Sequence, residues 1–332
     1  MKRATTMLGA LALVATGFLF AAPTAHAQLP GAGTYGGVTC SYFGNGTGNY
    51  PSNNHFLKCV SSTQKTNNVF GTVYGEPSYV KDPLNNNSVT YFFFHSKEDY
   101  ENYFTGAGHA AYSIPNDTHG FSDPEVTYPF TIVFEGYESE MVGFINYNTS
   151  DLEWTTAHET GHHLDYLWRN DIAVPGDYVS ETGNKFDDQL DHDIFLLNNK
   201  KQGQNWVTRN PCGSGGALVN LWDPTFHHTV CDGSQLRSGY GYSGTNWEIL
   251  QSVLPYYYTQ QESSGSWQEL FATVYAKISG NSLSYASTHP EAGAATGMLG
   301  SEFDCVRDYV SRLRSTGAEP TSYSNNCSMT LP

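Results

Sequence analysis

Basic residues are scarce in this chain. Sixteen lysines and arginines face 32 acidic residues, so the formal net charge is −16 at neutral pH. Nucleic acids and anionic lipids bind proteins chiefly through lysine and arginine, and an acidic surface repels both. We therefore expect neither a nucleic acid nor a membrane as a partner. The acidic surface instead suits solubility and cationic substrates.

Long apolar runs are also absent after residue 27, so no later segment is predicted to span a membrane. Residues 1–27 have the pattern of a bacterial-type secretory signal peptide. Lys2 and Arg3 form a basic start, Met7–Ala22 is mostly apolar, and an A-x-A cleavage site ends at Ala27. We therefore expect cleavage after Ala27 and a secreted, extracellular protein.

No two cysteines have the C-x-x-C spacing that is typical of zinc–thiolate sites. The six cysteines instead form three pairs of near neighbours along the chain. An even number of cysteines in a secreted protein indicates disulfide bonds. From this clustering we predict the bonds Cys40–Cys59, Cys212–Cys231 and Cys305–Cys327.

The order of the predicted elements indicates an α+β fold in which a helix crosses a small mixed sheet. Residues 28–80 are rich in Gly, Asn, Ser and Tyr, which predicts a loop-rich, disulfide-pinned segment. That segment is either part of the fold or a removable pro-segment. Residues 81–170 carry the sheet and the crossing helix, and residues 171–332 are predicted to be mainly helical. A cleft should lie between these two parts.

Three apolar patterns predict the strands of residues 81–170. They lie at Ser88–Phe94, Phe130–Phe134 and Met141–Tyr147, and a helix capped by Ser96 is predicted to follow the first of them. The third directly precedes the crossing helix, which makes it a candidate edge strand for pairing an extended peptide. An ordinary inner strand is the equal alternative.

The crossing helix carries the residues with the clearest chemistry, and Ser150-x-x-Glu153 is a capping box that predicts its start. His158 and His162 share one helix face, where both imidazoles can ligate one metal ion. Glu159 lies about 100° around the helix, where it can reach a metal-bound water without ligating the metal. Two nitrogen donors and an adjacent carboxylate base are what zinc-assisted hydrolysis requires. The alternative is a polar helix face that carries two histidines by chance.

Three nearby features give weaker signals. Gly161 stands inside the helix, where glycine costs about 1 kcal/mol relative to alanine. Close approach of another backbone would explain it, and simple tolerance is the alternative. Asp165 is placed to orient a ligating imidazole or is a plain surface carboxylate. The aspartates between Asp187 and Asp193 suit either calcium or the acidic start of a helix.

Two short segments resemble the zincin metallopeptidases, and among them the gluzincins of the anthrax lethal factor type. Residues 158–165 have the form H-E-x-G-H-x-x-D, and residues 267–276 contain E-[LF]-F-A followed by small and aromatic residues. Together they cover about 20 residues of 332. The resemblance implies a zincin-like fold, Zn²⁺ as cofactor and Glu159 as general base. The zinc ligands that it implies are His158, His162 and Glu269.

Glu181 competes with Glu269 for the place of third ligand. Eighteen residues lie between His162 and Glu181, which matches the H-E-x-x-H-x18-E spacing of aminopeptidase-like gluzincins. Gly183 follows Glu181 closely and no helical pattern surrounds it, whereas Glu269 opens a strong predicted helix. Ser266-x-x-Glu269 is also a capping box, so Glu269 has a structural alternative. We predict Glu269.

The sequence as a whole predicts a secreted, monomeric zinc metallopeptidase, an endopeptidase whose partner is a protein or peptide substrate. Zinc would activate a water, and Glu159 would take its proton and pass it to the leaving amine. A tyrosine among residues 256–258 could stabilise the oxyanion. Two alternatives stay open: an aromatic-rich secreted binding protein with a structural or vestigial metal site, and a toxin-like effector protease with one host substrate. Glu159 argues against the first, because a structural site needs no base.

Overall fold

The computed structural model describes residues 29–43, 55–116, 118–139, 141–170, 178–180, 185–186, 188–189, 265–279, 304–323 and 327–328. Within these ranges a mixed sheet is packed against α-helices, so the predicted α+β class is confirmed. None of the helices described there is long and apolar enough to cross a membrane.

Six strands form the main sheet, in the order β1-β2-β3-β4-β6-β5. Strands β3, β4 and β6 are parallel, whereas β1, β2 and β5 run antiparallel to their neighbours. Strand β5 therefore ends the sheet beside β6, with Gly120 opposite Val133. The strands are β1 Gly33–Tyr35, β2 Val38–Tyr42, β3 Phe56–Lys58, β4 Thr90–Phe94, β5 Gly120–Asp123 and β6 Phe130–Phe134.

The first two predicted strands are confirmed as β4 and β6, whose residues are all buried. Continuous apolar runs are typical of strands that are covered on both faces. Successive side chains of β4 point to opposite faces of the sheet. Phe92 and Phe94 pack against Phe104 on one face, whereas the hydroxyl of Tyr91 meets Thr160 on the other. The sheet thus separates two helical layers.

Six α-helices complete the described fold. Helix α3 begins after Ser96, whose side chain caps it as predicted, and it covers the Phe104 face of the sheet. Helix α4 crosses the other face and packs against α1 and α5. The helices are α1 Thr63–Tyr74, α2 Ser78–Asn86, α3 Lys97–Gly106, α4 Thr149–Leu167, α5 Gly265–Ile278 and α6 Asp304–Thr316.

The predicted strand Met141–Tyr147 differs from the structure. Its residues Gly143–Asn146 form β8, which pairs with β7 (Gly136–Ser139) in a separate two-stranded sheet. This hairpin turns back on itself through Gly143, whose φ of +77° is a conformation that favours glycine. The edges of the described main sheet are formed instead by β1 and by β5, which has no apolar pattern of its own.

The segment at residues 28–80 contains β1, β2, β3, α1 and α2 in its described part, rather than mainly loops. Two of its glycines, Gly36 and Gly37, form the turn between β1 and β2, where both have positive φ. The described strands form half of the main sheet, which argues against a removable pro-segment.

Two predicted disulfides, Cys40–Cys59 and Cys305–Cys327, are confirmed. The first joins β2 to the residue after β3, where the register of Ser41 with Lys58 brings the two cysteines opposite each other. Cys212 and Cys231 lie outside the described residues.

Cys212–Cys231 should be the third disulfide, because the other four cysteines pair with their nearest neighbours along the chain. We expect peptide mapping without reduction to recover one peptide pair that joins Cys212 to Cys231. Recovery of either cysteine as a free thiol, or in a bond with one of the other four, would contradict this.

Candidate functional site

Helix α4 positions the predicted histidine pair. It begins after Asn148, which forms a capping box with Asp151, so the predicted cap at Ser150 and Glu153 is wrong by two residues. Most of α4 is buried, and the positions that stay partly exposed include His158, His162 and Tyr166, four residues apart. They form one open stripe, because residues four apart lie on the same helix face.

The two imidazoles of this stripe lie side by side. The ring centroids of His158 and His162 are 4.9 Å apart and the ring planes are nearly perpendicular. The predicted shared face is therefore present in the structure. Most of the other α4 residues are buried against the sheet and the neighbouring helices, which leaves this stripe partly exposed.

Glu159 faces the edge strand. Its side chain is buried, with 7% of the residue exposed, and its Oε2 accepts a hydrogen bond of 2.8 Å from the hydroxyl of Ser122 in β5. Sequence reasoning missed Ser122, because the segment Gly120–Asp123 is short, has no apolar alternation and is followed by Pro124.

A glycine permits the close packing of β5 on α4. A Cβ at Gly120 would lie 2.7 Å from the Cγ2 of Thr155 and 3.5 Å from the Cγ of Glu159. Real Cβ atoms essentially never approach another atom as closely as the first of these distances. Gly120 is therefore required for the edge strand to reach the helix beside Glu159.

The expected close approach of another backbone at Gly161 is confirmed. A Cβ at Gly161 would lie 2.6 Å from the Cα of Ala272 in α5. Further along the same contact, Ala276 packs against Trp154 and Ala157. A later residue of α5 therefore contacts earlier residues of α4, so the two helices are antiparallel.

Helix α5 also reaches the histidine pair. The Oγ1 of Thr273 is 3.4 Å from the Nδ1 of His158. Metal-ligating imidazoles usually engage their second ring nitrogen with a neighbouring polar group, which holds the ring in place. Thr273 is such a neighbour for His158.

The third histidine of the motif has a structural place. His163 is fully buried, and its Nε2 lies 2.9 Å from the Oγ1 of Thr131 and 3.2 Å from the carbonyl oxygen of Phe130. Burial lowers the pKa of His163 to about 3, so the ring is neutral at physiological pH. It fixes α4 to the start of β6.

Asp165 anchors the chain that follows α4. Its two carboxylate oxygens accept hydrogen bonds from the backbone N–H of Ser180, at 2.8 Å, and from the Ser180 hydroxyl, at 2.5 Å. The carboxylate is fully buried, so the plain surface role is wrong. Its predicted role in orienting an imidazole stays a prediction.

The remaining predicted site residues are only partly covered by the structure. Glu269 lies within α5, but its side chain is outside what the structure describes, and Glu181 and residues 256–258 are outside altogether. Of the aspartates between Asp187 and Asp193, the described part includes Asp188, which is exposed. Among the described side chains, no group of three or more His, Cys, Asp or Glu residues could hold a metal ion.

Comparison with known proteins identifies no relative of this chain. No family model, no curated protein and no solved structure matches the chain. The resemblance to zincins therefore stays confined to the two short segments that contain His158 and Glu269.

Gly161→Ala should destabilise the protein, although alanine normally stabilises a helix by about 1 kcal/mol relative to glycine. The added Cβ would collide with the backbone of Ala272, and overpacking of this kind costs about 1–3 kcal/mol. Urea denaturation measures the free energy of unfolding. Thr149→Ala, at an exposed position of the same helix, is the control and should change it by less than about 0.5 kcal/mol. A Gly161→Ala variant as stable as the wild type would contradict the contact.

Proposed function

We propose that this protein is a zinc-dependent metallopeptidase with a zincin-like arrangement. One observation carries the proposal: α4 presents His158 and His162 side by side and packs against the edge strand β5, which holds Glu159 of the same helix. Metal-assisted peptide hydrolysis requires side chains that bind the metal, a carboxylate base and a surface that binds the extended substrate. The histidine pair, Glu159 and the edge of β5 can supply these three parts.

The donor set fits zinc. Zinc prefers imidazole nitrogens in a tetrahedral set and keeps one position open in catalytic sites. His158 and His162 would supply two positions, and Thr273 is placed to hold the first imidazole. When bound, zinc would polarise a peptide carbonyl and lower the pKa of a water molecule.

Helix α5 is the best source of a third ligand. Thr273 meets His158 and the helices are antiparallel, so residue 269, four positions earlier, lies on the same face of α5, one turn nearer to His162. We infer that Glu269 is this ligand, because a rigid helix that packs closely on α4 can hold a carboxylate in one place.

Glu181 remains a competitor for a structural reason as well as its spacing. It directly follows Ser180, which Asp165 holds against α4 one turn after His162. The backbone N–H of Val179 also donates to the carbonyl oxygen of Asp165, and the Val179 side chain is buried. A ligand on this segment would therefore depend on these contacts of residues 179 and 180 rather than on a packed helix. The choice between the two glutamates is therefore left to experiment.

The chain's own residues have defined roles in this proposal. Glu159 takes a proton from the attacking water and passes it to the leaving amine. Strand β5 ends the described sheet, and the backbone groups on its outer side suit an extended peptide, which would add as a further strand. This assigns to β5 the role that the sequence had suggested for residues 141–147.

The same observations bear on the alternatives. A binding protein with a vestigial metal site has no need of a buried carboxylate that a strand holds beside the histidines. A toxin-like effector with one host substrate uses the same chemistry and differs only in specificity. Disulfide bonds are typical of oxidising compartments, which supports secretion by the signal peptide at residues 1–27, outside the described residues.

Glu159→Gln should retain about one zinc ion per chain but lose hydrolysis, because an amide cannot accept the proton and is not a ligand. We expect turnover of denatured casein to fall at least about a hundredfold, within the range of general base catalysis. Elemental analysis after dialysis measures the metal. His158→Ala, the control, should lose both zinc and activity. A folded, zinc-loaded Glu159→Gln enzyme with wild-type turnover would rule out Glu159 as the base, and a wild type without zinc would end the proposal.

Glu269→Ala should weaken zinc binding by several orders of magnitude, whereas Glu181→Ala should leave it unchanged. Loss of a helix cap alone would cost about 1 kcal/mol of stability without this effect. Competition with a chelator of known affinity measures the zinc dissociation constant, and thermal unfolding measures the loss of stability when the helix cap is removed. The opposite pattern would show that the third ligand is Glu181 and that the lethal-factor-like assignment is wrong.

A further inference from the structure

Ser122 is the side chain that links the edge strand to the proposed base. We propose that Ser122 is a positioning residue, which holds the Glu159 carboxyl group in its catalytic orientation and so couples base orientation to the strand that binds substrate. This inference rests on the proposed function. Neither the histidine motif nor the E-[LF]-F-A segment contains Ser122.

The hydrogen bond has the geometry of a directed contact. The Ser122 hydroxyl donates to the Oε2 of Glu159 at 2.8 Å, within the usual range for such a pair. The side chain of Glu159 ends in a terminal torsion that is broad and has no strong preference of its own. A donor on one oxygen therefore fixes which way the carboxyl group points.

The strand that carries Ser122 is fixed from its far face. Phe121 packs edge-on against Tyr100 and Tyr112, and the Tyr112 hydroxyl donates to Asp123 at 2.8 Å. Side chains alternate along a strand, so Phe121 and Asp123 hold one face while Ser122 points to the other, toward α4. The serine is thus presented to Glu159 by a strand that is anchored on both sides of it.

The near face is equally restricted. Ser122 lies opposite Thr131 of β6 in the register of the sheet, and Gly120 lets the strand approach Thr155 and Glu159. A shift of β5 by one residue would turn Ser122 away from the helix and bring a bulkier side chain toward it. The position of the hydroxyl is therefore set by the register of β5.

A substrate that pairs with β5 would therefore bind the same strand that orients the base. Removal of the hydroxyl leaves the strand and its backbone edge intact, so substrate binding should persist. The Glu159 carboxyl group would then sample other orientations, which slows only the step that needs it. A loss in kcat with an unchanged KM is the signature of this role.

The test compares Ser122→Ala and Ser122→Thr with the wild type on a fluorogenic peptide that the wild type cleaves. We expect Ser122→Ala to lower kcat by about tenfold to a hundredfold, the effect of one hydrogen bond to a charged group, with KM within about twofold. Ser122→Thr retains the hydroxyl and should restore most of kcat. Ser41→Ala removes a hydroxyl from an exposed position of β2 and should match the wild type.

A second readout does not depend on activity. Crystal structures should show Glu159 in one orientation in the wild type and Ser122→Thr, and in several orientations in Ser122→Ala, with equal zinc content and melting temperature. An active wild type with unchanged kcat in Ser122→Ala, or a Glu159 that is equally ordered without the hydroxyl, would overturn the role of Ser122 alone. A zinc-loaded wild type that cleaves no peptide would overturn the proposed function.

Discussion

The contact between Gly161 and Ala272 is the constraint on which the rest of the site depends. The two helices approach so closely that a Cβ on residue 161 would lie 2.6 Å from the Cα of Ala272, so only a glycine fits at this position of α4. This approach brings Thr273 to His158 and places residue 269 on the same face of α5. Gly161 lowers the intrinsic helix propensity of α4, but it permits the close packing of α4 against α5.

The opposite side of α4 is held just as firmly by the sheet. His163 binds at the start of β6, and Thr160 meets the hydroxyl of Tyr91 in β4 at 3.0 Å. These buried contacts decide which of the three histidines in the motif stay available. His158 and His162 remain on the open stripe, while the neutral His163 is used for packing.

Sequence patterns predicted the parts of this fold that repeat with a regular period or have a known spacing. Examples are the strands β4 and β6, the histidine pair, the cap at Ser96 and two disulfides. Strand β5 was missed because its four residues show no apolar alternation. It is a strand because it pairs with β6, and this pairing leaves no side-chain pattern in β5 itself. Ser122 was missed with it, since a hydrogen bond between residues 122 and 159 leaves no trace in local sequence.

Anomalous X-ray diffraction at the zinc edge tests the central claim most directly, because it locates the metal independently of any assay. The account predicts one strong peak per chain, within bonding distance of an imidazole nitrogen of both His158 and His162 and of one glutamate oxygen, with Glu159 beside it and not bound to it. A peak that involves neither histidine, or Glu159 as a direct ligand, would contradict the account.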